Sequence, residues 1–186
     1  QPIQFLDDAV LKLSELPLLL KLMAVCPLAD LAVESVLRDI RSSLLSSVSE
    51  LDGSSEVLRF QSALALQCFT NEYVYSHSVR EGKTLEALQV SVDRLLSNGE
   101  QPSSHSILCL ASYKALHEYE WCDSLNVTSD IEEVYTRQVI EPQREGHLKS
   151  TISVLENITD AVSEKVREQY EESPYPRWVN LGLRLK

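Results

Sequence analysis

Four polar residues stand out for what their types and spacing could do: Gln67, Asn71, Glu72 and Tyr75. Gln67, Asn71 and Tyr75 follow one another at intervals of four, so a helix through them sets them on one face of an otherwise apolar segment. Such a polar strip on a central helix lines a groove and binds a ligand or a partner. The same residues also suit a hydrogen-bonded contact between helices or a solvated face. His105 and Cys109 are likewise four apart, but two ligands do not hold a zinc ion. His77, His105, His117 and His147 lie far apart in no ligand pair and suit partly exposed packing positions. Cys26, Cys68, Cys109 and Cys122 contain no CxxC pair, and the first three sit in apolar helical stretches. Buried, reduced thiols of a cytoplasmic protein are therefore expected, and no metal site.

Other chemistry is excluded by what is missing. Only five glycines occur, and neither GxGxxG, GxxxxGK[ST] nor GxSxG is present. Phosphate cradles and nucleophile elbows need those glycines, so no catalytic residue and no cofactor is assigned to this chain. A formal net charge of −11 opposes nucleic-acid phosphates and anionic membrane surfaces. No apolar run approaches the ~18 residues that span a bilayer. The segment 17–25 is short, is interrupted by Lys21 and follows no basic region, so it is not a signal peptide. The chain begins with Gln1 rather than methionine, and reads as a piece of something longer.

The elements that must carry these residues are helices. Glycine is scarce while leucine, alanine, glutamate and serine dominate, a composition that favours helix over sheet. Pro17 fits a first-turn position, so two short helices open the chain. Asp30 caps a helix with Val33, Val36, Leu37, Ile40, Leu44 and Val48 as its apolar stripe, broken at 52–55. A second stripe, Val57, Phe60, Leu64, Cys68 and Phe69, belongs to a helix over 56–75. Leu85, Leu88, Val92, Leu95 and Leu96 make a third, stopped by Asn98-Gly99. Pro102-Ser103-Ser104 opens a fourth that carries Ile107, Leu108, Leu110, Ala111 and Leu116. Ser129 or Asp130 opens a fifth, ended near Pro142. Thr159 caps a last one, with Ile158, Val162, Val166 and Tyr170 four apart. The stripes around Leu64 and Leu108 are wide, which makes those helices central. A Leu-x-Leu pattern recurs at 20, 64 and 108, a spacing of 44 that suits paired-helix repeats. The fold class is all-α, an antiparallel helical bundle or a short stack of helical hairpins, with residues 1–172 as the helical domain and 173–186 as an extended proline-rich tail.

That tail begins in the most distinctive stretch of the chain. Pro174 and Pro176 forbid helix and favour an extended, polyproline-like path. Tyr170, Tyr175, Arg177 and Trp178 around it are candidates for docking on a neighbouring surface. The run Gln169-Tyr170-Glu171-Glu172-Ser173-Pro174-Tyr175-Pro176-Arg177-Trp178 resembles the QYEENPYPRW segment of bacterial proteins that join tetratricopeptide repeats to a class I S-adenosylmethionine-dependent methyltransferase domain, with serine where that family often has asparagine. Segments 139–152 and 66–74 resemble the same proteins more loosely. In them this stretch precedes the enzyme domain. No cofactor-binding glycine loop follows it before Lys186, so methyl transfer does not carry over to these residues. The resemblance implies a non-catalytic helical module that positions domains or binds a protein partner, with self-association also open. The alternative is a stand-alone helical binding protein with a polar groove near Asn71.

Overall fold

In the computed structural model, residues 9–51, 54–151 and 161–172 are described. Among them every regular element is helical and no strand occurs. Two compact units divide the chain, residues 1–143 and 144–186. In the first unit, a helical stretch over 9–14 (α1) precedes α2 (Pro17–Val25), with Pro17 in its first turn, where a missing N–H removes no helical bond. Asp30 caps α3 (Leu31–Ser46): its Oδ1 accepts from Ala32 N (2.9 Å) and Val33 N (3.0 Å). Ser54 caps α4 (Ser55–Thr70). A capping box between Ser78 and Glu81 opens α5 (Val79–Ser97). Gly99 (φ 76°) closes α5, with Glu100 N donating to Leu95 O and Gly99 N to Leu96 O, the Schellman pattern that asks for glycine at this position. Ser103 caps α6 (Ser104–Ala111). Two single 3₁₀ turns, Leu116–Glu118 and Cys122–Ser124, lead to α7 (Glu132–Tyr135). A π-turn, Thr136–Ile140, joins α7 to α8 (Glu141–Thr151), and α9 (Ala161–Glu172) lies in the second unit.

Helix α4 is the centre of the first unit. It packs against α2, α6 and α7, while α5 packs against α3 and α6. Leu58, Ala65 and Leu66 of α4 join a core with Ile107, Leu108, Leu110, Leu116, Val134 and Val139. Its Val57, Phe60, Leu64 and Cys68 join a second core with Met23, Leu37, Ile40 and Leu44. Its apolar stripe is wide because two cores need it. The recurrent leucines at 20, 64 and 108 fall in α2, α4 and α6, which are successive packing neighbours.

Four expectations need correction. In α3 the buried face is Leu37, Ile40, Arg41, Leu44 and Leu45, whereas Val33 and Val36 are exposed. Helix α4 stops at Thr70, five residues short of Tyr75. It ends in a Schellman motif without glycine: Glu72 and Tyr73 take φ of 57° and 55°, Tyr73 N donates to Cys68 O (2.8 Å) and Glu72 N to Phe69 O (3.2 Å). Helix α6 ends at Ala111, and Leu116 belongs to a separate turn. Pro142 does not end a helix; it lies in the first turn of α8. The π-turn before it shifts the register, with Glu141 N donating to Thr136 O. Pro142 has no N–H for Gln138 O, and His117 Nδ1 donates to that carbonyl instead (2.7 Å).

Candidate functional site

Behind the polar strip lies a residue the sequence reading did not single out. Arg41 is 2% exposed. Its Nη1 donates to Ser112 O (3.3 Å), and its Nη2 donates to Tyr75 O (3.1 Å) and Ser76 O (3.1 Å). The guanidinium lies 4.1 Å from the centre of the Tyr113 ring and 5.6 Å from that of Tyr75. A buried charge needs partners that replace water, and here they are three backbone carbonyls and two aromatic faces. The signal was present in the sequence: Arg41 is four after Leu37 and three before Leu44, in the middle of the stripe that α3 buries.

Tyr113 relays this charge to the start of α5, because its hydroxyl donates to Glu81 Oε1 (3.0 Å). Glu81 lies below its usual carboxylate range: partial burial works against this, and the bonds from Ser78 and Tyr113 together with the charge of Arg41 outweigh it. The Tyr113 hydroxyl is pushed up, chiefly by burial. Burial likewise pushes the Cys68 thiol up to about 11, although the neighbouring Arg41 pulls the other way. Cys109 rises to about 12 through burial. All four cysteines are free; Cys26 is half-buried and the others are buried. A thiol held protonated is a poor nucleophile, so Cys68 and Cys109 pack rather than react.

Gln67, Asn71, Glu72 and Tyr75 do not share one helix face. Gln67 is fully buried within α4. In the amide orientation that satisfies both its ends, its nitrogen donates to Met23 O (3.0 Å) and Cys26 O (3.1 Å), and its oxygen accepts from Leu28 N (3.0 Å). Gln67 thus fastens the turn between α2 and α3. Asn71 is the C-cap of α4, and Glu72 is exposed in the left-handed turn. Tyr75 lies beyond the helix and is buried. Burial raises its hydroxyl to about 12, while the Gln67 and Asn71 side chains favour the ionised form. No bond of good geometry reaches Tyr75 Oη or Asn71 Oδ1. A separate void between Arg41, Gln61, Leu64, Cys109 and Tyr113 is too small to admit water.

Two other glutamines work as Gln67 does. Gln61 Oε1 accepts from His105 Nδ1, and its Nε2 donates to Cys109 Sγ (3.5 Å), so the i, i+4 pair His105 and Cys109 is joined through a glutamine of α4. His105 proves buried rather than partly exposed. Gln138 in the π-turn donates to Ala65 O (3.3 Å) and Ala111 O (3.1 Å) and accepts from Leu116 N (3.0 Å). Beside it Arg137 donates to Ala24 O (3.1 Å) and pairs with Glu141 (3.2 Å).

Open space lies at the surface of the first unit. A cleft of about 670 Å³ runs between α5 and the 114–124 segment, with Asp93, Lys114, Glu118, Glu120, Tyr119 and Trp121 in its lining. Tyr119 and Trp121 stack at 4.6 Å. A second cleft, of about 380 Å³, separates α2, α4 and the start of α7, with Leu20, Ala24 and Leu58 in its wall and Lys21, Arg59, Asp130 and Glu133 at its rim.

Of the tail candidates, Tyr170 lies in the last turn of α9 and is 63% exposed. Tyr175, Arg177 and Trp178 lie outside the described residues. Among the described residues no group of three or more His, Cys, Asp or Glu is placed to hold a metal ion, and no helix is long and apolar enough to cross a membrane. No protein-family model, no curated protein and no solved structure matches this chain.

Proposed function

We propose that this chain is a non-catalytic helical module of a methyltransferase-like protein, a stack of antiparallel helical hairpins that holds a protein partner or positions an adjacent domain through an extended proline-rich tail. One observation carries the reading: four buried polar side chains of α3, α4 and the π-turn bind backbone groups of neighbouring elements. Arg41, Gln67, Arg137 and Gln138 all do so. These bonds fix the shape of the unit, which is what a binding scaffold requires. The link to methyltransferases rests on the resemblance of residues 169–178.

Calorimetric titration with S-adenosylmethionine tests the non-catalytic part. No binding heat is expected, and micromolar affinity overturns it. Replacing Trp178 with alanine tests the tail: lower stability, or a smaller particle by light scattering, is expected if Tyr170, Tyr175 and Trp178 dock on a protein surface. An unchanged melt and an unchanged size sink the docking idea.

A further inference from the structure

We propose that the outer face of α2 joins a second copy of this chain, α2 against α2, in a two-fold dimer. The inference goes beyond the reading above: it gives the module a self-association surface that does not involve the tail.

A repeated position shows that this face is built to be covered. Leu22, Leu66 and Leu110 stand 44 residues apart, each closing a Leu-x-Leu pattern, in α2, α4 and α6. Leu66 and Leu110 are 1% and 0% exposed, whereas Leu22 is 40% exposed and Leu18, one turn before it, 72%. The middle helix, α4, packs against both α2 and α6. Helix α2 buries Met23 and Ala24 and leaves Pro17, Leu18, Lys21 and Leu22 to solvent. The helical period sets Leu18 and Leu22 opposite Leu20, Met23 and Ala24, so the bare leucines lie on the side away from α4. The terminal member of a helical stack needs a polar outer face to stay dispersed, and α2 has leucines there instead. Leu11 and Leu16, just before it, are exposed as well. Among the described residues, seven of the fifteen exposed large apolar side chains fall between Leu11 and Val36. Leu18 and Leu22 are neighbours on one helix face, and an apolar patch of that kind marks an interaction surface where single scattered leucines do not.

Charge and symmetry select the occupant. Between Asp8 and Asp30 the sequence holds one acid, Glu15, and two lysines, Lys12 and Lys21. On a chain at −11 this stretch is locally positive, so two copies meet here without the repulsion that acidic surfaces impose elsewhere. The stem of Lys21 can lie along the apolar face while its ammonium stays in water. Leucines one turn apart are complementary to themselves: across a two-fold axis, the pair from one copy meets the pair from the other. Continuity agrees. Pairing α2 with α2 continues the α6, α4, α2 order of one copy into the reverse order of the second. The interface is closed, and neither copy keeps a bare leucine face.

Sedimentation velocity on the full chain, run over a range of concentrations, tests this. A concentration-dependent dimer is expected. Leu18→Glu with Leu22→Glu should weaken it by about a hundredfold through loss of the central apolar contacts. Circular dichroism should stay unchanged, because both side chains are exposed. Leu18→Lys with Leu22→Lys should act alike, and mixing the two variants should restore a dimer through opposite charges. A monomer at every concentration overturns the proposal. So does an undiminished dimer in the glutamate variant, and so does a mixture of the two variants that stays monomeric. If the glutamate variant fails to fold, Leu18→Gln with Leu22→Gln decides in its place, and full dimerisation in it is an overturning result. Trp178→Ala separates this surface from the tail. A dimer lost in Trp178→Ala but kept in the glutamate variant belongs to the tail and removes the α2 face. A dimer kept in Trp178→Ala and lost in the glutamate variant supports the α2 face, whatever becomes of tail docking.

Discussion

Arg41 shows how one side chain can hold several elements at once. Its guanidinium ties α3 to the turn that leaves α4 and to the end of α6. Removing it leaves three carbonyls without their donor in a buried setting, each a desolvated group with no replacement partner. Arg41→Met is therefore expected to lower stability by about 3 kcal/mol, read as the urea midpoint. Arg41→Lys should recover only part of this, because one ammonium lacks the planar fork that reaches separate acceptors and stacks on Tyr113. If both variants unfold at the parental midpoint, the arginine is not a strut. The sequence displayed Arg41 inside an apolar stripe, yet an arginine there reads equally well as a side chain that snorkels to water. Only the carbonyls of Tyr75, Ser76 and Ser112, far away in the chain, distinguish the two.

At the scale of elements, the end of α4 is the instructive case. A Schellman motif normally places glycine at the left-handed position, and here that position is Glu72. Nothing local announces a stop, so a helix drawn from sequence runs on to Tyr75. Arg41 and the buried Tyr75 ring pull the chain away instead. Left-handed backbone at a non-glycine residue costs about 1–2 kcal/mol. Glu72→Gly should accordingly raise the thermal midpoint, by the equivalent of about 1 kcal/mol; a lower midpoint would show that the Glu72 side chain itself matters more than the strain. The π-turn makes a second case. His117 supplies Gln138 O with the donor that Pro142 lacks, so His117→Ala should cost about 1 kcal/mol in the parent chain. In a Pro142→Ala background the new amide N–H can serve the same carbonyl, and the loss should shrink. Additive effects in that double-mutant cycle would argue against the substitution of one donor for the other.

For the first unit as a whole, burial of its weak acids predicts an alkaline limit. Cys68 and Cys109 rise from 9.0 to about 11 and about 12, and Tyr75 from 10.0 to about 12. A folded-state value above the unfolded one means that the folded chain holds its proton more tightly. The contribution is complete below pH 9 and is lost as pH climbs from there toward 11 and 12, because only the unfolded chain ionises in that window. The urea midpoint should hold steady from pH 7 to 8.5 and fall between pH 9 and 11. Replacing both cysteines with alanine should flatten the first part of the fall; an identical pH profile would remove the thiols from the account.

Helix identity and helix starts were legible in the sequence because their causes are local. Asp30 and Ser103 bond to amides two or three residues away, and Asn98-Gly99 supplies its own left-handed residue; the caps Ser54 and Ser78 are equally local, although the sequence reading does not single them out as caps. The all-helical class follows from the same spacings, as does the central place of α4. The ends of α4 and α6, the passage through Pro142 and the fate of the polar strip were decided elsewhere. Gln67 points into the turn between α2 and α3, and Gln138 reaches carbonyls on α4 and α6. The Tyr119–Trp121 cleft exists only because α5 comes to lie beside a segment some twenty residues further along. Hydrogen bonds that span a few residues are written in the order of the chain. Those that join distant carbonyls to a buried guanidinium or amide depend on which helices pack together, and packing becomes visible only in three dimensions.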